Sequence, residues 1–148
     1  MPINRLQLNI TSLASDETTW KKPKTIAIVI AWSVINVGIL MYVFLFAGQS
    51  MEWYFMTLLF AVSVYAGAIL EDIKAIILGG FEALALTIIL AYVLMIIPAL
   101  IGQISGFYQQ NLVLTIALGF LFRMMFPLGI VLIVIGGLIG GLLEGWLT

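Results

Sequence analysis

Four long apolar runs follow one another along the chain, at residues 25–46, 53–70, 75–101 and 112–146. An α-helix rises about 1.5 Å per residue, so roughly 20 apolar residues cross a hydrocarbon core of about 30 Å. Short polar segments separate the runs. The pattern predicts an all-α integral membrane protein, built as a bundle of about four transmembrane helices. The division into domains is then an N-terminal segment, residues 1–24, and a transmembrane domain, residues 25–148.

The last run is too long for one straight crossing, because its 35 residues would extend about 52 Å as a helix. Pro127 lies inside the run next to Gly129, so we expect a break near Pro127. Three arrangements remain open. The run is one kinked crossing, or a short re-entrant or interfacial piece (112–126) before a true span (128–146), or two crossings. The last arrangement ranks third, since 15 residues make a poor span.

The N-terminal segment carries apolar residues at helical spacing, namely Ile3, Leu6, Ile10 and Leu13. This spacing favours a short amphipathic helix that lies on the membrane or against a partner. A frayed terminus is the alternative. Lys21, Lys22 and Lys24 directly precede the first run, so the excess of positive charge predicts a cytoplasmic N-terminus. An even number of crossings then returns the C-terminus to the cytoplasm.

Composition excludes several classes of protein. The chain is 64% hydrophobic and 9% charged, whereas soluble domains are about 45–50% apolar and about 25% charged. The net charge of −1 gives no field that would attract nucleic acid. Cysteine and histidine are both absent. Disulfides, thiolate chemistry and ordinary haem, copper or zinc sites within this chain are therefore not expected, and we predict no cofactor and no metal site.

Three polar residues lie inside the apolar runs: Asn36, Glu82 and Arg123. Counted from the ends of their runs, Glu82 lies about 10 Å above the inner boundary and Arg123 about 16 Å below the outer one. These depths place them within about 4 Å in height, so an ion pair between two helices is one hypothesis. The other hypotheses are separate snorkelling to the headgroups, protonation of Glu82 in place, and a role in transport or a proton relay. For Asn36 we expect an interhelical hydrogen bond, with a pore lining as the alternative.

Small residues recur every fourth position on two predicted helices: Ala75, Gly79, Ala83, Thr87 and Ala91 on the third, and Gly137, Gly141 and Gly145 on the last. Lipid tails provide no hydrophobic drive between helices, so close backbone approach at small residues is how such helices associate. Both stripes therefore predict helix-packing faces. The C-terminal stripe serves either packing within the chain or a face for another subunit or a second copy.

No catalytic motif accompanies these features: the chain lacks a P-loop, a G-x-S-x-G and an H-E-x-x-H sequence. We therefore expect a small non-catalytic accessory or assembly subunit of a membrane complex, and not an enzyme. Its expected partners are the lipid bilayer and other membrane subunits or copies of itself, without nucleic acid. A homo-oligomeric channel or transporter lined by Asn36, Glu82 and Arg123 is the alternative. An intramembrane enzyme ranks third, because no nucleophile, base and orienting group are evident.

Overall fold

The structure is a computed structural model that describes residues 23–46, 53–70 and 72–147. For residue 147 it describes the backbone alone. Of the described residues, 94% are helical and none forms a strand. The elements are α1 (Pro23–Phe46), α2 (Trp53–Leu70), α3 (Ile73–Leu100), α4 (Phe107–Met124), a π-helical turn (Met125–Gly129) and α5 (Ile130–Leu147). The predicted all-α class is confirmed. Residues 1–22, with the predicted amphipathic stripe and Lys21 and Lys22, lie outside the described residues.

Four helical segments are long and apolar enough to cross a membrane: Pro23–Phe46, Trp53–Leu70, Ile73–Leu100 and Phe107–Trp146. Their mean hydropathy lies between 1.8 and 2.6. Large apolar side chains cover much of the outer surface, where they can contact lipid. The protein is thus an integral membrane protein. Its orientation in the bilayer, with cytoplasmic termini, stays a prediction.

The directions of the helices follow from their contacts. Ser33 on α1 donates a hydrogen bond to the carbonyl of Ala83 on α3, and Val29, one turn before Ser33, packs against Gly79, one turn before Ala83. α1 and α3 therefore run parallel.

α2 runs in the opposite direction, because Trp32 contacts Ser63 while Tyr42 contacts the earlier residue Phe55. So does α5, because Gly141 near its end lies against Ile76 near the start of α3. We call the end where α1 and α3 begin the lower end of the bundle, and the opposite end the upper end.

α4 begins at Phe107, five residues before the predicted start of the last apolar run. Gly106 has φ +112°, a backbone conformation that side-chain-bearing residues rarely adopt, and it ends the loop. The backbone N–H of Gln110 donates to the carbonyl of Gly106 at 3.0 Å, and its side-chain amide donates to Ile104 at 3.1 Å. These bonds start the helix within the polar stretch, whose Gln109 and Asn111 remain exposed.

The predicted break near Pro127 is confirmed. Phe126 has φ −116° and ψ 128°, an extended conformation between the helical residues on either side. Proline has no N–H to donate and its ring disfavours a helical conformation at the preceding residue, which explains the position of the kink. α4 packs against α3, and Phe120 of α4 stacks edge-on against Phe44 at 5.2 Å, near the upper end of α1. How residues 107–126 lie relative to the bilayer stays a prediction.

Candidate functional site

The centre of the bundle is organised around the indole of Trp32, which is 2% exposed. Its Nε1 donates a hydrogen bond to the hydroxyl of Ser63 on α2 at 3.3 Å. Its ring lies 3.5 Å from the position that a Cβ on Gly80 would occupy, and 3.4 Å from the corresponding position on Gly137. The two glycines leave space for the indole, so residues of α1, α2, α3 and α5 meet at one level, which we call the Trp32 level.

Three buried hydroxyls surround this level and donate hydrogen bonds to backbone carbonyls one turn earlier on their own helices. The pairs are Ser33 with Val29 at 2.7 Å, Ser63 with Leu59 at 2.8 Å, and Thr87 with Ala83 at 2.7 Å. Ser33 also reaches the carbonyl of Ala83 at 3.2 Å. Each hydroxyl thereby satisfies its single donor, and Ser33 shares its one proton between the carbonyls of Val29 and Ala83, which joins α1 to α3. The hydroxyls stabilise the packing and offer no activated nucleophile.

Asn36 lies one turn above Trp32 and is fully buried, with 0% of its surface exposed. Among the described residues, neither its Nδ2 nor its Oδ1 has a hydrogen-bond partner. The expected interhelical hydrogen bond is therefore not made within this part of the chain. A buried amide without partners costs about 1–3 kcal/mol, so Asn36 is a polar group that the packing tolerates and does not use.

Gly137 and Gly141 of the C-terminal stripe, with Gly140 beside them, lie against α2 and α3 within the chain. A Cβ on Gly140 would clash with the carbonyl oxygen of Val64, and a Cβ on Gly67 of α2 would clash with that of Gly137. A Cβ on Gly141 would clash with the side chain of Ile76 on α3. Gly145 has nothing within 4 Å of its Cβ position. The close approach that small residues permit is thus already occupied at Gly137, Gly140 and Gly141.

The small-residue stripe of α3 also faces the interior. Ala75, Gly79, Ala83, Thr87 and Ala91 are all buried. A Cβ on Gly79 would lie 3.1 Å from the side chain of Val29 on α1. Ala83 accepts the bond from Ser33, and the hydroxyl of Thr87 lies 3.5 Å from the carbonyl oxygen of Ser33. This face therefore packs against α1, which leaves the opposite side of α3 directed outward.

Glu82 lies on that outward side of α3 and is exposed. It follows Gly80 by two residues, which places it about 3 Å above the Trp32 level. Trp32 is nine residues from the lower end of α1 and fourteen from its upper end. Measured along α1, Glu82 is therefore about 17 Å from the lower end and about 18 Å from the upper end, and it is about 14 Å above Ile73, where its own helix begins. It thus lies near the middle of the depth that α1 spans.

Arg123 is also exposed, but it lies much nearer the upper end. Arg123 follows Phe120, which contacts Phe44 near the upper end of α1, and it precedes Ile130, where α5 begins. Ile130 is seven residues before Gly137 and therefore lies above the Trp32 level. These contacts place Arg123 roughly 10 Å above Glu82. Within the described part of the chain, no ion pair joins the two side chains.

The similar heights expected for Glu82 and Arg123 are thus not found. The earlier start of the helix at Phe107 would by itself place Arg123 deeper than expected. The contact of Phe120 with Phe44 instead holds this part of α4 near the upper end of α1, and Arg123 therefore lies above Glu82. Asn36 is enclosed between helices, while Glu82 and Arg123 lie on the outside at different depths. The structure therefore does not bring the three polar candidates together along one path.

A groove of about 850 Å³ lies on the outside of the bundle between α2 and α5. Its walls are mostly apolar, and they include Phe60, Val64 and Tyr65 on α2 and Leu143 and Glu144 on α5. It opens along the same pair of helices that the glycines bring together. The sequence did not reveal this groove, because its two walls are about 80 residues apart in the chain. The mid-depth of Glu82 was also missed, since it depends on contacts with α1.

The apolar helices and their packed, hydrogen-bonded interior define an all-α polytopic membrane protein. It carries an exposed carboxylate at mid-depth. The chain matches no protein family, no curated protein and no solved structure.

Proposed function

We propose that this protein is a small non-catalytic accessory or assembly subunit of a multi-subunit membrane complex. The observation that carries the proposal is the exposure of Glu82 at mid-depth, on the outward side of an apolar helix. A charged side chain that faces hydrocarbon at this depth is costly, by several kcal/mol on most scales. Contact with another protein chain removes that cost, because a partner supplies polar or charged groups that lipid tails lack.

The interior of the bundle supports the same proposal. The space between the helices is filled by large side chains, and Trp32, Leu40, Leu59, Ile76 and Ile133 are each no more than 2% exposed. The interior of the described bundle therefore holds packed side chains where a solute path would have to run. A channel made of several copies would have to run between the bundles. Asn36 could not line such a path, because it is fully buried inside its own bundle.

The test is native mass spectrometry of the wild-type protein after gentle extraction from its own membrane. We expect it to leave the membrane bound to different protein chains in a fixed ratio. We also expect deletion of this protein to lower the amount of the assembled complex on native gels, with recovery when the wild-type chain is restored. Extraction only as monomers or as copies of itself would refute the proposal. Ion or solute flux through such a homo-oligomer in liposomes would establish the channel alternative.

A further inference from the structure

The outward side of α3 forms a continuous surface around Glu82. Leu78, Glu82, Ala85 and Ile89 recur at spacings of three and four residues, so they lie on one side of the helix. All four are exposed, Leu78 at 37% and Ile89 at 61%. We call these four residues the Glu82 face. It combines a central carboxylate with an alanine one turn away, which allows a second helix to approach closely.

The described part of the chain provides no cation at the level of Glu82. Its three basic residues are Lys24, Lys74 and Arg123. Lys74 is eight residues earlier on α3, about 12 Å lower, and Lys24 is eight residues before Trp32, about 12 Å below the Trp32 level. Arg123 is roughly 10 Å above Glu82. None of the three is level with the carboxylate.

A second copy of the chain does not change this result. Copies in one membrane with the same orientation are related by rotation about an axis along the membrane normal, which keeps every residue at its own depth. The same three described cations would then lie above or below Glu82 of the neighbouring copy. Among the described residues, neither the chain itself nor a second copy therefore offers a cation at the depth of Glu82.

We infer that the Glu82 face binds a transmembrane helix of another protein that carries a Lys or Arg side chain at mid-membrane depth. This inference rests on the proposed function and specifies the partner. The basic side chain pairs with the carboxylate of Glu82, while Ala85 lets the two helices pack closely, with Leu78 and Ile89 against apolar side chains of the partner. Hydrocarbon around the pair excludes water, so each charge gains from the other.

A synthetic helix tests the charge requirement without knowledge of the natural partner. The probe is a Leu/Ala transmembrane peptide with one central Lys, reconstituted with the full-length protein in phosphatidylcholine liposomes, and association is measured by energy transfer between labels. We expect the wild-type protein to bind this peptide at least about tenfold more tightly than Glu82→Gln does. Peptides with a central Leu, or with the Lys moved three turns towards one end, should bind weakly to both proteins.

Equal binding of the central-Lys and central-Leu peptides to the wild-type protein would overturn the inference. So would equal binding of the central-Lys peptide to the wild-type protein and to Glu82→Gln. Because a Glu82→Gln protein that failed to fold would also lose binding, Val34→Gln serves as the matched control. Val34 is 55% exposed on α1 next to Ser33, at nearly the depth of Glu82 but on another helix. Val34→Gln should bind the central-Lys peptide as the wild-type protein does.

Photo-crosslinking in the native membrane tests the same face on the natural complex. A photoreactive side chain is placed at Ala85, which leaves Glu82 intact, and at Val34 as the control. We expect the Ala85 probe to crosslink a transmembrane segment with a Lys or Arg near its centre, and the Val34 probe not to crosslink that segment. If native mass spectrometry shows a complex of different chains but the Ala85 crosslink maps to a segment without a central basic residue, the inference fails while the proposed function stands. If only copies of this chain are found, the proposed function itself fails.

Discussion

Replacing Asn36 by threonine should stabilise the protein. Asn36 is fully buried, and among the described residues neither polar atom of its amide has a hydrogen-bond partner. Threonine is similar in size, and its hydroxyl can donate to the carbonyl one turn earlier, as the hydroxyls of Ser33 and Thr87 do. In Asn36→Thr that acceptor would be the carbonyl of Trp32. The substitution therefore replaces an unsatisfied amide by a satisfied hydroxyl.

The expected gain follows from the cost of the amide. A buried polar group without partners costs about 1–3 kcal/mol, and this cost is removed when the amide is removed. The new hydroxyl bond adds little, because bonds of a side chain to its own helix are close to neutral in stability. We therefore expect the free energy of unfolding to rise by about 1–3 kcal/mol in Asn36→Thr.

The assay is reversible unfolding of the protein in mixed micelles by increasing sodium dodecyl sulfate, followed by the fluorescence of the buried Trp32, with the other tryptophans replaced by phenylalanine. Ser33→Ala is the control, because Ser33 bonds across helices to Ala83 at 3.2 Å. It should lower stability by about 0.5–1.5 kcal/mol. A loss of more than about 1 kcal/mol in Asn36→Thr would refute the reasoning, since the amide would then have a favourable partner in the folded protein.

Two further predictions concern the helix contacts and the exposed charges. Gly140→Ala should lower the free energy of unfolding by at least about 2 kcal/mol, because the added Cβ meets the backbone of α2; Gly119→Ala, with nothing within 4 Å of its Cβ position, should change it by less than about 1 kcal/mol. In a double-mutant cycle, Glu82→Gln and Arg123→Met should show a coupling energy below about 0.5 kcal/mol, because the two side chains form no ion pair within the described chain.

Both predictions can fail in a clear way. Gly140→Ala with unchanged stability would mean that α2 and α5 are further apart in the membrane than the described contact. A coupling energy of 1 kcal/mol or more between Glu82 and Arg123, with each single variant less stable than the double variant, would restore the buried ion pair expected from the sequence.

Several features of the helices could be predicted from the sequence because they depend on local properties of the chain. Runs of apolar residues form helices in a membrane, because no water is present in the hydrocarbon and the backbone N–H and C=O groups must bond to each other. The break at Pro127 follows from the missing N–H of proline and its clash with the preceding turn. The burial of Ala75, Gly79 and Ala83 agrees with the role expected for small residues at helix contacts.

The positions of the polar candidates, by contrast, depend on how the helices are rotated and shifted against one another. α1 and α3 are apolar around almost their whole circumference, so no polar side marks which residues face outward. The sequence therefore identified Glu82 and Arg123 as intramembrane charges but misjudged their relative depth. It likewise identified Asn36 but expected a partner for its amide.

An all-α membrane bundle with a broken last helix could be predicted from the amino-acid sequence, because helix formation and membrane insertion depend on local composition. Three features required the packed helices: α2 lies directly against Gly140, Asn36 is buried without a hydrogen-bond partner among the described residues, and Glu82 is exposed at mid-depth. Each of these facts is set by contacts between helices that are distant in the chain. Spacing along one helix defines a face but not which neighbour that face meets.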